Sequence, residues 1–340
     1  MKEKLKFDYY DSSISSILFV VLQYLFLRLY VLLPADVRSG AIAIIASCLL
    51  EGIFLLTVYL TSKITNTKFL PATTFNKKIN IGGVLLSIAI AVVFLIFASP
   101  LTNVFAAFLE KVGYTSSLGG IKVNNFLTYF IYVIIMCAIP AITEESLFRS
   151  CMLGGLKEKN KHMAVAVSAV FFMLMHGGPD QTVHQLLMGI LAGYIFVYTE
   201  NIWYPIIIHF VNNFIAVTIS YMYSGVETAT NAAESATAVT WSELGVSLVT
   251  AVIMAAAGTA IIFFLVKELI KQINEKKNTV VLENTQSDAD ETKELTEIEQ
   301  VIIPQKDNRK KWIPITLFTL SGLYLIFEWL LTLLVGLGVV

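Results

Sequence analysis

The chain carries nine apolar stretches, at about 14–33, 40–62, 81–99, 125–156, 163–177, 183–199, 202–222, 245–266 and 312–338. A helix needs roughly 20 apolar residues to cross the hydrocarbon of a bilayer. In lipid, every backbone N–H and C=O must be satisfied within the protein, which leaves helices or closed barrels as spanning structures. Barrel strands alternate polar and apolar residues, and these runs do not. The expected fold class is therefore all-α, a polytopic transmembrane helical bundle of about nine spans. The fifth stretch is short; it either crosses between tilted neighbours or stops partway. Charged residues make up only 14% of the chain, against about a quarter in soluble domains. The net charge of −1 gives no electrostatic footing for nucleic acid. The lipid bilayer is the expected surrounding.

Lysines and arginines favour the cytoplasmic side of a membrane. Lys2, Lys4 and Lys6 precede the first span, Lys63, Lys68, Lys77 and Lys78 follow the second, and Lys157, Lys159 and Lys161 follow the fourth. The opposite loops are poor in basic residues, with Arg38, Lys111 and Lys122 as exceptions, and 223–244 has none. An N-terminus inside and a C-terminus outside satisfy the rule. The first run lacks the short core and small-x-small site of a cleaved signal, so it reads as a retained span. Five regions result: N-terminal spans in 1–122, a central helical core in 123–222, an outer loop and span in 223–266, a linker in 267–311, and a last span in 312–340. The linker mixes Glu, Asp, Lys, Asn and Thr and cannot bury enough apolar area to offset chain entropy. It is expected to be a disordered cytoplasmic tether, with docking of a cytoplasmic partner as the lesser reading. Cys48, Cys137 and Cys151 show no metal-like spacing and read as small core residues.

Charges inside the fourth stretch need explaining, because they are expensive in lipid unless paired or used. Its sequence is Ile139-Pro140-Ala141-Ile142-Thr143-Glu144-Glu145-Ser146-Leu147-Phe148-Arg149. Pro140 kinks the helix and frees the carbonyl one turn earlier. Glu145 and Arg149 are four apart and can pair, while Glu144 points about 100° away and is left for chemistry. His176 lies in the fifth stretch, and His209 and Asn213 share one face of the seventh. Counting about 1.5 Å per residue from the loop at 157–161 puts Glu144 and His176 each about 20 Å up antiparallel helices. All four groups can therefore meet at one depth. A carboxylate can take a proton from water. Imidazoles can bind a metal or stabilise an oxyanion. Glutamate with two histidines follows the logic of a zinc hydrolase, although no His-Glu-x-x-His helix is present.

The set Glu144-Glu145-x-x-x-Arg149, Phe172-x-x-x-His176 and His209-x-x-x-Asn213 resembles the CPBP family. That family comprises intramembrane CAAX proteases and bacteriocin-processing or immunity proteins, also called Abi. The resemblance covers about 125–218, with Ser150 where glycine is common. It implies an intramembrane metalloendopeptidase, multi-pass in a bacterial-type cytoplasmic membrane, acting on a peptide or protein substrate at that membrane. It implies Glu144 as base for the attacking water, and His176 and His209 as ligands of Zn2+ or of the oxyanion. Asn213 would support either, and Glu145 and Arg149 would be structural partners. Phe172, one turn before His176, reads as packing support. Prenylated C-termini and leader peptides are both precedents for the substrate.

Two rival classes are weighed against this reading. A non-enzymatic immunity or scaffold protein would bind a partner without cutting. A proton-coupled transporter would also place acids in the membrane, but no paired broken helices mark two related halves. Elsewhere, His184 reads as an interfacial histidine with a lesser chance of touching the site, and His162 as solvated. Gly189 and Gly193 read as a close-packing face. Trp203, Tyr204 and Trp312 read as interface anchors.

Overall fold

The computed structural model describes residues 3–34, 36–38, 40–116, 125–223, 240–288, 310 and 312–339. The described residues form helices and no strands beyond one isolated bridge between Lys4 and Thr67. Among the described residues, eight helices are long and apolar enough to cross a membrane. A ninth, Lys161–Met175, is apolar but shorter, as its sequence indicated. The chain is a multi-pass membrane protein.

The first helix, α1 (Tyr9–Val31), starts earlier than its apolar run because Asp8 and Asp11 form a capping box. Its first two turns bury a polar face, Asp11, Ser12, Ser13, Ser15 and Ser16. The Ser12 hydroxyl donates to the Cys151 carbonyl at 2.8 Å, tying α1 to the central core. Helices α2 (Gly40–Ile64) and α3 (Phe69–Thr73) follow. Helix α4 (Ile81–Lys111) runs past the expected limit at 99, with Pro100 inside it. The apolar sequence Val104-Phe105-Ala106-Ala107-Phe108-Leu109 sustains it.

The fourth span, α5 (Phe126–Leu156), is one continuous apolar helix. It contains two π-helical stretches, Val133–Ala138 and Ser146–Leu153, on either side of Ile139–Glu145. Such wider turns recur where a helix is bent to function. Pro140 offers no N–H to the Met136 carbonyl one turn before it, and Asn213 Nδ2 donates there at 3.0 Å. The distortion that proline imposes is thus met by a side chain from another span.

Helix α6 (Lys161–Met175) begins at Asn160, whose side chain accepts from the His162 and Met163 amides. It ends at His176, and the chain turns through Gly177 at φ 68°, a conformation that suits glycine. Helix α7 (Thr182–Thr199) returns alongside α6. A Cβ on Gly189 would lie 2.9 Å from Ala169 Cα, and one on Gly193 would lie 3.0 Å from Val165 Cγ1. Both glycines face α6, as their spacing suggested.

Helix α8 (Trp203–Tyr223) is followed by α9 (Trp241–Asp288), which packs along α4, and α10 (Trp312–Gly336). Tyr204 is not an interface anchor: it is 2% exposed, and its ring fills the space that a side chain at Gly83 would take. Trp312 is exposed at the start of α10. Helix α9 continues beyond 266, so residues 267–288, counted with the linker, are helical. The pattern Leu265, Leu269, Ile273 extends the apolar stripe at helical spacing and explains the extension. The rest of the expected linker from 289 to 309, the outer loop at 224–239 and Lys122 lie outside the described residues.

Candidate active site

The site is built where α5, α6 and α8 meet. Arg149 is fully buried, and its Nε donates to Glu145 Oε2 at 2.7 Å. A second guanidinium nitrogen reaches Glu145 Oε1 at 3.4 Å, and a third reaches Ser168 Oγ on α6 at 3.2 Å. The guanidinium also lies 4.8 Å from the centre of the Phe172 ring. A buried charge is tolerable only when paired and hydrogen-bonded in this way.

His209 approaches the same carboxylate from α8, with Nδ1 donating to Glu145 Oε1 at 3.0 Å. A carboxylate of this kind only accepts, so the contact fixes the proton on Nδ1 and leaves the lone pair on Nε2. His176 is held alike: Nδ1 donates to the Phe172 carbonyl at 2.8 Å. Its Nε2 faces Glu144 Oε2 at 3.9 Å. Phe172 is packed between the two imidazoles, its ring 4.8 Å from that of His176 and 5.9 Å from that of His209.

Glu144 is only 5% exposed, and its Oε2 has no hydrogen-bond partner among the described residues. The neighbouring acids thus stand apart. Glu145 is held by Arg149 and His209, while Glu144 presents an uncommitted oxygen to His176. The depth counted along antiparallel helices from the 157–161 loop brings the latter pair together.

Asn213 occupies the edge of the site. Its Nδ2 is used on the Met136 carbonyl, and its Oδ1 accepts from Asn212 Nδ2 at 3.1 Å. Asn212, three residues after His209, lies on nearly the same face. It is 5% exposed, and its Nδ2 also donates to His184 Nε2 at 3.2 Å. His184 packs its ring 5.5 Å from that of Phe94, so it sits among buried groups instead of at an interface. His162 is exposed, with Nδ1 2.9 Å from the Tyr194 hydroxyl.

One acid escaped the reading of the sequence. Glu51, on α2, accepts from the Thr143 hydroxyl at 2.7 Å and interacts electrostatically with both Glu144 and His209. Its signal was available, since a lone carboxylate within a spanning run is a functional candidate by default. It lacks a motif partner on its own helix, which is why pattern spacing passed over it.

The donor types match what zinc takes: two imidazoles, each with Nδ1 pinned by an outer partner and Nε2 left as ligand, and a carboxylate. Among the described residues, no three His, Cys, Asp or Glu side chains form a group that could hold a metal ion.

Apolar spanning helices around buried, paired and unpaired charges define a multi-pass membrane protein. Residues 126–215 match the family model for type II CAAX prenyl endopeptidase Rce1-like proteins. The match falls on the helices that carry these side chains and covers about a quarter of the chain. The chain is also 30% identical over 82 residues to the Bacillus subtilis (strain 168) protein named "Putative membrane peptidase YdiL". That match covers 24% of this chain and 34% of the relative, so the chain spans about a third of the curated protein it matches. No solved structure matches.

Proposed function

We propose that this chain is an intramembrane peptidase that hydrolyses a peptide bond in a membrane-associated peptide or protein. The observation that carries the reading is the unpartnered Glu144 Oε2 facing His176 Nε2 at 3.9 Å, beside a Glu145 already neutralised by Arg149 and His209. Glu144 is the base in this scheme. It takes a proton from the attacking water and can return it to the departing amine. His176, with Nδ1 engaged by the Phe172 carbonyl, offers Nε2 to the water on its other side. His209, fixed through Nδ1 by Glu145, keeps its Nε2 lone pair for a bound cation beside His176.

His176 and His209 are the residues that would hold Zn2+, which when bound supplies Lewis-acid polarisation of water and carbonyl. Asn213 holds the α5–α8 contact through the Met136 carbonyl, and Asn212 braces it from the same helix while reaching His184 on α7. The family description points to prenylated C-terminal substrates, and a leader peptide presented at the bilayer would meet the same groups. Cells carrying the Glu144→Gln variant in place of the wild type are expected to accumulate the uncut substrate in a comparison of membrane-protein termini. Identical termini in the two strains would refute the assignment.

A further inference from the structure

A cavity of about 670 Å³ lies between α4, α7 and α9. Glu144, His176 and His209 do not line it. Its floor is buried and apolar, with Phe94, Ala98 and Ile195, and the half-exposed Phe263 stands at its margin. The one polar side chain midway, Thr259, turns its hydroxyl inward to the Ala255 carbonyl at 2.8 Å. The remaining polar lining, His162, Tyr194, Tyr198 and Lys267, gathers toward one end. Lys161 joins that end, its Nζ 5.0 Å from the centre of the Tyr198 ring.

Shape and charge together select an occupant. Ala255 and Ile270 both line the slot, a run of about 22 Å along α9 at about 1.5 Å per residue. One leaflet of hydrocarbon is about 15 Å deep, half of a core of roughly 30 Å. An extended acyl chain matches a run of that length and its apolar lining. At the polar end, Lys157 is paired with Glu200, and Glu268 is engaged by Lys271 and Gln272. Among the described residues, neither Lys161 nor Lys267 is in an ion pair, so the end of the slot carries uncompensated positive charge. Basic pockets between spans are places where anionic headgroups settle.

We infer that the slot holds one anionic phospholipid, an acyl chain along α9 and the phosphate on Lys161 and Lys267. This assignment is independent of peptide hydrolysis. The test is native mass spectrometry of the full chain released from bilayers of equal phosphatidylglycerol and phosphatidylcholine. The wild type and Glu144→Gln should each keep one lipid, with phosphatidylglycerol favoured by about tenfold. The Lys161→Gln/Lys267→Gln double variant should keep a lipid but lose the preference. Thr259→Trp should fill the slot and lose the lipid, with thermal unfolding recorded to show that it folds. Equal retention of both lipids by the wild type, or undiminished retention by folded Thr259→Trp, would overturn the assignment. Displacement of the lipid one for one by a lipid-tailed peptide would assign the slot to substrate instead and overturn it as well.

Discussion

Arg149 shows how much rests on single residues here. Replacing it with methionine leaves the Glu145 carboxylate buried with only His209 for company. Breaking a buried pair from one side costs about 3–5 kcal/mol, so Arg149→Met should lower the unfolding midpoint in detergent strongly. A midpoint unchanged from wild type would mean that Glu145 is satisfied without Arg149. The paired imidazoles make a second prediction. Zinc should be present in purified wild type and lost from His176→Ala/His209→Ala; equal content in the two would remove metal from the scheme. At this scale the motif spacing was informative where partners share a helix. Glu145 with Arg149, and His209 with the asparagines beside it, lie one turn apart and are readable from the chain. Glu51, Thr143 and Ser168 join the cluster through tertiary contacts, and no spacing rule reports those.

Elements carry the site by their distortions as much as by their regular turns. The π-helical stretches of α5 flank the two acids, and the carbonyl that Pro140 leaves unserved is taken up by Asn213. The freed carbonyl was legible from the proline; the wider turns were not, because they depend on what packs against α5. The α6–α7 contact is a clearer case, since glycines four apart announce a close approach. Gly189→Leu would push a side chain into the Ala169 backbone, and overpacking of this kind costs about 1–3 kcal/mol. Thermal unfolding should fall accordingly, and no change would mean that the two helices can separate without loss. At the end of α7, Lys157 holds the Glu200 carboxyl below its ordinary range through a 2.7 Å bridge. A depressed carboxyl adds stability above its unfolded pKa and loses it as pH falls through the folded value. The half-exposed bridge makes this a small effect. Stability of the wild type should therefore fall slightly more than that of Glu200→Gln on acidification below about pH 4.5; parallel profiles would contradict the pairing.

At the scale of the whole molecule, the bundle follows from the length and continuity of its apolar runs, which is why span count and class were accessible without coordinates. Limits were less so. Polar residues such as Asp8 and Asp11 extend α1 by capping it, and charged helix formers carry α9 past its apolar section. Tyr204, placed at an interface by its position near a span end, is drawn inward by the gap at Gly83. The bundle also explains how the buried charges are kept from lipid. Six other helices surround α5, α6 and α8, and the acid that faces His176 is separated from the acid that anchors His209. On the proposed scheme, Glu144 alone among these acids does the chemistry. Purified wild type and Glu144→Gln should be compared for cleavage of a membrane-tethered peptide in proteoliposomes, with matched unfolding midpoints. A folded Glu144→Gln protein slowed by about 10²–10⁴-fold is the result predicted; a folded variant that cuts at the wild-type rate would contradict it.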